Sequence, residues 1–350
     1  MLHGHGDDAY QHGDAVRLNF SSNVRPGGAP SALRAHLAGQ LERIGTYPEV
    51  AAETLTARLA ARLAARLGVG AEHLIVTNGA VAGIHLIGQI WAGAKSRVVT
   101  PTFAEYEDAA RLHRHTLEFA LWETTLQPLP AGCDLLWICN PNNPTGAVLA
   151  REPLLAWIDA HPGTLFVVDL AYADFCATAP LTAQDAAARA NLILVHSLTK
   201  IYGLPGLRLG YLVTSAGLRA RLAAGLVPWS VNSLALEAGN YCLAHAEALA
   251  LPLAELLADA ESLGLALAEI PGVVVYPSTT TFRLFELPPS AGSAAELKTW
   301  LIREHGILVR AADNFRGLGP QAVRVATQGA VADAQLVAAV RQRVAEGVVL

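Results

Sequence analysis

Lysine is nearly missing from this 350-residue chain: of its 25 basic residues, only Lys95, Lys200 and Lys298 are lysines. Charged residues as a whole make up 16%, and the small acidic excess leaves a formal net charge of −5 with the basic residues dispersed. That balance argues against nucleic acid or an anionic membrane as a partner, since either needs a concentrated basic patch. Cysteine is scarce too. Cys133, Cys139, Cys176 and Cys242 show neither a CxxC spacing nor a companion histidine pattern, which points to buried reduced thiols. The start, Met1 to Asp8, has neither the basic opening nor the apolar run of a signal peptide, so the cytoplasm is the expected location. Its two early histidines, His3 and His5, are too few for a metal tract, and no metal is expected. The charge-free stretch Leu74–Ala94 is long enough to raise a membrane question, but Thr77, Asn78, Gln89 and repeated glycines interrupt it. A strand, a glycine turn and a buried helix account for it better.

What is present is length and order. A chain of 350 residues buries a substantial core, and its 52% hydrophobic content is swollen by alanine. Arg58, Arg62 and Arg66, spaced four apart beside Leu55, Leu59, Leu63 and Leu67, read as an amphipathic helix. From about residue 70 to 215, short apolar runs alternate with helix-like segments. The candidate strands are Leu74–Thr77, Arg97–Thr100, Leu117–Leu121, Leu135–Cys139, Leu165–Asp169, Leu192–His196 and Gly210–Val213. Such alternation predicts an α/β architecture, a mostly parallel sheet between helices. After about residue 235 the texture becomes Ala/Leu-rich helices followed by the strand candidates 272–276, 281–285, 307–310 and 323–326, a smaller α+β domain. Residues 1–30 read as an arm packing on another part of the assembly, 31–235 as the large domain and 236–350 as the small one.

The scarcity of lysine directs attention to Lys200, in Ser197-Leu-Thr-Lys-Ile-Tyr-Gly-Leu-Pro-Gly-Leu-Arg208. Lys95 and Lys298 sit in polar or helix-like surroundings and read as solvated. Lys200 follows a buried strand, the placement expected of a catalytic group in an open α/β sheet. An amine can lose its proton and attack an aldehyde, which a guanidinium cannot. With a hydroxyl at Ser197 and Arg208 to hold a phosphate, the chemistry is that of pyridoxal 5'-phosphate. Three more segments converge on it. Asn140-Pro-Asn-Asn-Pro-Thr-Gly146 follows a strand and can present a side-chain amide, although such residues also make ordinary turns. Asp169 ends a buried strand with a carboxylate that needs a cation or, read alone, caps a helix. Thr77-Asn-Gly-Ala80 joins a strand to a helix and can offer N–H groups to phosphate.

The order of these parts resembles the fold-type-I pyridoxal phosphate enzymes of the class I/II aminotransferase superfamily, over nearly the whole chain. Within it the nearest likeness is to the threonine-phosphate decarboxylases, relatives of the histidinol-phosphate aminotransferases. That likeness rests on His5-Gly6-Asp7, Asn19 to Asn23, Tyr47-Pro48, Pro101 to Tyr106, the Lys200 segment with Pro228 to Asn232, and Gly306 to Arg310 followed by Asn314 to Leu318 and Arg324 to Ala326. The resemblance implies a large domain with a mostly parallel sheet, a smaller α+β domain, and a homodimer with shared sites. It implies that Lys200 carries the cofactor as a Schiff base and moves protons, that Asp169 pairs with the pyridine nitrogen, and that Asn143 and Tyr172 bond the phenolic oxygen. Phe103 would stack on the ring; Gly79, Ala80, Ser197 and Arg208 would hold the phosphate, with Tyr47 from a neighbouring subunit. Arg324 would clamp the substrate carboxylate and Arg310 a second anion, with Asn23, His5 and Gly6 closing over it. Without the resemblance both arginines read as strand-end surface residues. Leu170, the Val81-Ala82-Gly83 run and Arg25 depart from the pattern. The implied reaction is decarboxylation of L-threonine O-3-phosphate in cobalamin biosynthesis. The alternatives are a histidinol-phosphate type aminotransferase and a cofactor-binding module without turnover.

Overall fold

The computed structural model describes residues 7–48, 53–178 and 181–347. Strand β1 is Leu18–Asn19, and the strands that follow are β2 Leu74–Thr77, β3 Lys95–Thr100, β4 Thr116–Leu121 and β5 Leu135–Cys139. Next come β6 Leu165–Asp169, β7 Leu192–Ser197 and β8 Gly210–Thr214. Seven of these form one sheet in the order β2-β8-β7-β6-β5-β3-β4, parallel throughout except that β8 runs antiparallel to both neighbours. The expected mostly parallel sheet is therefore the observed one.

The central strands are apolar up to their carboxyl ends because both faces are covered. Leu136, Ile138, Phe166, Val168 and Leu194 point into one core, while Leu135, Trp137, Val167, Ile193 and Val195 point into another on the opposite face. The charge-free stretch resolves into β2 and the helix Gly79–Ile90. Among the described residues no helix is long and apolar enough to cross a membrane.

The second sheet holds β9 Val274–Val275, β10 Phe282–Glu286, β12 Arg310–Ala311 and β13 Ala322–Ala326, antiparallel in the order β12-β13-β10-β9. The remaining strand, β11 Ile307–Leu308, pairs in parallel with β1. Helices Leu253–Ala268, Ala294–His305 and Ala330–Glu346 cover this part. The helix Ala294–His305 has sharp ends: Ser293 and Glu296 form a capping box, and Gly306 closes it in the left-handed conformation.

Two expectations are modified by packing. The helix Ser233–Ala244 lays Ala235, Leu236, Ala238 and Cys242 into the core of the large sheet, so 235/236 falls inside a segment that joins the first core. The arm docks on its own chain, where Phe20 is fully buried in the small core, worth about 1.5–3 kcal/mol. Its backbone continues the pairing, Phe20 N–H donating to Leu308 O at 2.8 Å and Ala326 N–H to Phe20 O at 2.9 Å.

Candidate active site

The parallel strands end together. Thr100, Cys139, Asp169 and Ser197, the last residues of β3, β5, β6 and β7, line a cavity of about 650 Å³ at the sheet's carboxyl edge. Gly210, first residue of antiparallel β8, stands opposite Ser197. Lys200 lies on the short helical turn Leu198–Ile201 directly after β7, and the arm holds that turn, with Arg25 N–H donating to Lys200 O at 3.0 Å. The Arg25 side chain donates from Nη1 to Leu249 O at 2.6 Å, so this departure from the family pattern ties the arm to the segment after the helix Ser233–Ala244. Lys200 lines the cavity. Burial, reinforced by the Arg324 and Arg208 charges and opposed by Asp169 and Asp7, brings its pKa down to about 8.

One end of the cavity is built for an anion. The helix Gly79–Ile90 starts there, and Asn78 makes no side-chain cap, which leaves first-turn N–H groups to a ligand. Gly79 sits at φ +79 with Arg208 so close that a Cβ would stand 2.8 Å from its Nη2. Arg208 itself is held at φ 59, a conformation costing a non-glycine residue on the order of 1–3 kcal/mol. Ser197 Oγ and Thr199 Oγ1 bond each other at 2.7 Å, both buried and lining the cavity with Ala80 and Arg208. The strand register explains another departure: a Cβ on Gly83 would lie 2.8 Å from Leu212, so this glycine serves helix-on-sheet packing. Leu170 belongs to the large core, its side chain packed there.

The other groups line the same cavity. Asp169 Oδ1 accepts from Ala171 N–H at 2.8 Å and Oδ2 from the Tyr106 hydroxyl at 2.8 Å. Burial raises its pKa, opposed by those two donors and by Lys200. Asn143 accepts from Arg324 Nη1 at 2.6 Å through its Oδ1, which fixes the NH2 as its donor end. Tyr172 is buried against Phe282, with ring centroids 5.2 Å apart, and burial pushes its hydroxyl up to about 12. The Lys200 amine lies 5.9 Å from the Tyr172 ring centre. Phe103 lines the cavity with its ring edge-on to Tyr106.

The two arginines are not surface groups. Arg310 and Arg324 stand directly opposite each other on β12 and β13, and both line the cavity. Arg324 is only 4% exposed and also donates to Ser21 O. Burial, with Arg310 as a like charge, brings its pKa down to about 10. Arg310 donates to Ala311 O and Asn314 Oδ1, each at 2.7 Å. Asn23 is 4% exposed and lines the cavity, its amide beside the Tyr172 hydroxyl. His5 and Gly6 lie outside the described residues. Tyr47 is 85% exposed and packs on Trp229, away from this chain's own cavity.

Four further groups escaped the sequence reading. Thr199 was findable, since a hydroxyl two residues after Ser197 on a strand-to-helix turn faces the same anion. Tyr106 gains meaning only from Asp169, 63 residues away. Asp7, from the arm, lines the cavity, its carboxylate held by Asn19 Nδ2 at 3.2 Å. Arg316 reaches across the mouth to Glu107 with contacts of 2.8–3.1 Å. Although burial opposes it, Arg316 and Arg111 hold the Glu107 carboxyl below its ordinary range. Lys298, read as solvated, pairs with Asp8 of the arm.

Residues 16–342 match the family model for aminotransferase class I and II. A threonine-phosphate decarboxylase of Salmonella typhimurium is 31% identical over 337 residues, covering 93% of this chain and 90% of that protein. A histidinol-phosphate aminotransferase of Symbiobacterium thermophilum is 32% identical over 347 residues, covering 95% and 92%. The crystal structure of L-threonine-O-3-phosphate decarboxylase from Porphyromonas gingivalis superposes with a TM-score of 0.88 at 38% identity, covering 93% of this chain and 98% of that one.

Proposed function

This chain is a pyridoxal 5'-phosphate enzyme of the class I and II aminotransferase family, and from that premise we propose that it decarboxylates L-threonine O-3-phosphate to (R)-1-aminopropan-2-yl phosphate, a step of cobalamin biosynthesis. The observation that carries the reading is the pair Arg310 and Arg324, opposed across β12 and β13 in the Lys200 cavity. Like charges directly opposite on a sheet are destabilising. Keeping two there suits a substrate with two anionic groups on one small frame, a carboxylate and a phosphate.

The residues fit the cofactor: a buried amine, a buried carboxylate, and an uncapped helix start flanked by hydroxyls and a guanidinium. When bound, pyridoxal phosphate supplies an aldehyde for amines and a conjugated ring that accepts an electron pair. Ala80, Ser197, Thr199 and Arg208, with Gly79 behind them, hold its phosphate. Asp169 pairs with the ring nitrogen, Asn143 and Tyr172 with the phenolic oxygen, and Phe103 covers a face. Arg324 grips the substrate carboxylate with its fork, while Arg310 and the Asn23 amide take the phosphate. Arg324 and Arg310 would fix how the substrate lies in the cavity, and that orientation would decide between loss of its carboxylate and loss of its Cα proton. In a decarboxylation, Lys200 Nζ, which lines the cavity with a pKa of about 8, would be the group that hands a proton to the substrate carbon as carbon dioxide departs.

The relative at 32% identity favours a second reading, an aminotransferase of the histidinol-phosphate type. The holoenzyme incubated with L-threonine O-3-phosphate is expected to release carbon dioxide and the amine phosphate in equal amounts. Stoichiometric consumption of 2-oxoglutarate with histidinol phosphate, and no carbon dioxide from threonine phosphate, would establish the aminotransferase instead.

The same proposal includes a homodimer in which Tyr47 completes the partner's phosphate site. Tyr47 shares an exposed apolar patch with Leu41, Ile44 and Trp229, which a second copy would cover. Light scattering should give twice 36.8 kDa, and Tyr47→Phe should loosen the cofactor; a monomer that retains cofactor fully would rule this out.

A further inference from the structure

Tyr106 sits where two parts of the cofactor site meet. It lies in the first turn of the helix Glu105–Leu112 and is 1% exposed. One face of its ring stacks on Trp137, with centroids 5.7 Å apart and planes 13° from parallel. Phe103 stands edge-on to the same ring at 5.9 Å and 85°. The hydroxyl is thereby aimed at Asp169 Oδ2, 2.8 Å away. A polar group is costly to bury without a partner, and here the partner is the carboxylate at the end of β6.

The groups facing Asp169 come from every element around it: Tyr106 from its helix, Cys139 from β5, Ala171 and Tyr172 from the loop after β6, and Lys200 from the turn after β7. Burial, then the Asp169 charge, raises the Tyr106 hydroxyl well above its ordinary range, so it stays a donor across working pH. Burial raises the Cys139 thiol as well, which keeps it uncharged. Among the described residues, the hydrogen bonds to the Asp169 side chain come from Tyr106 on one oxygen and Ala171 N–H on the other. The backbone donor is fixed by the loop. The tyrosine is the contact that fixes the rotation of the carboxylate plane.

We propose that Tyr106 is a positioning residue: it holds the Asp169 carboxylate in register with the cofactor's ring nitrogen and, through its edge contact, sets the plane of Phe103 over the ring. The inference rests on the assignment of Asp169 to that nitrogen and is independent of which substrate bond breaks.

The test uses the holoenzyme and its Tyr106→Phe, Asp169→Asn and double variants, read by the cofactor dissociation constant and by the midpoint of the pH titration of the visible band. Phenylalanine keeps the ring on Trp137, so thermal unfolding should be little changed. Tyr106→Phe is expected to weaken cofactor binding about tenfold, the scale of one hydrogen bond to a charged group. The titration midpoint should rise, because a less firmly held ring proton leaves less positive charge near Lys200. In the Asp169→Asn background the same change should add nothing, since its effect passes through the carboxylate. Unchanged affinity and midpoint in Tyr106→Phe overturn the inference, as does an equal loss in the Asp169→Asn background. If Asp169→Asn alone binds cofactor normally, the assignment of Asp169 falls first and takes the inference with it. Should Tyr106→Phe fail to fold, 3-fluorotyrosine at position 106, a stronger donor on the same ring, must lower the midpoint; an unmoved midpoint is again decisive against it.

Discussion

Lys200→Ala should lower turnover by at least about a thousandfold, within the range that a positioned acid–base group supplies, and should remove the visible band of lysine-bound cofactor. The cofactor itself should stay in place. On the proposed assignment its phosphate is held by Ala80, Ser197, Thr199 and Arg208, contacts that do not pass through the Lys200 amine. Dialysed Lys200→Ala should therefore keep bound pyridoxal phosphate with the spectrum of the free aldehyde. A variant that retains the band would place the attachment elsewhere, and only Lys95 and Lys298 remain, one exposed and one paired with Asp8.

The same amine carries a pH signature. Reaction with an aldehyde requires the uncharged form, and burial with Arg324 and Arg208 brings the Lys200 pKa down to about 8. The uncharged fraction thus rises most steeply through about pH 8, where it is one half, and levels off about one unit above. The rate at which apoenzyme takes up cofactor, followed by stopped-flow absorbance, should do the same. An ordinary lysine, with a value of 10.5, would keep accelerating past pH 9, and that behaviour would contradict the buried, cation-flanked placement.

The sheet was legible because strands covered on both faces must be apolar throughout. Leu135–Cys139 and Leu165–Asp169 match the expected ranges residue for residue. Where a strand extends through polar residues the pattern fails: β3 begins at Lys95, two residues before the expected start at Arg97, because Lys95 and Ser96 pair with Thr116 and Leu117 of the edge strand. The expected boundary at 235/236 falls inside the helix Ser233–Ala244, whose Ala235, Leu236, Ala238 and Cys242 pack in the large core, since an alanine-rich surface does not say which neighbour it meets. In the site, the rarity of lysine identified Lys200 from residues alone. Arg310 and Arg324 came only through the family likeness, because a strand-end arginine looks the same whether it faces water or a cavity. Tyr106 came through neither. Its hydroxyl is unremarkable on a helix until β6 brings Asp169 within 2.8 Å.

The two arginines should separate in their effects. Arg324→Ala strips the donors from Asn143 Oδ1 and Ser21 O in a site that is 4% exposed. Truncating one partner of such a buried charge contact costs about 2–5 kcal/mol, so kcat/KM should fall on the order of a hundred- to a thousandfold for any amino-acid substrate. The melting temperature should fall too, because two acceptors are left unpaired. Removing Arg324 also deletes one of the charges that depress Lys200, and the midpoint for cofactor uptake should move up from about 8. Arg310→Ala has a different signature. It relieves a like charge standing opposite Arg324 but strips the donors from Ala311 O and Asn314 Oδ1, so the two effects oppose each other and the melting temperature should move less than in Arg324→Ala. Its cost should appear as a higher KM for L-threonine O-3-phosphate, with the much weaker reaction of unphosphorylated threonine left unchanged. Equal losses on both substrates would mean that Arg310 does not hold the phosphate, and the two-anion reading of the cavity would fail with it.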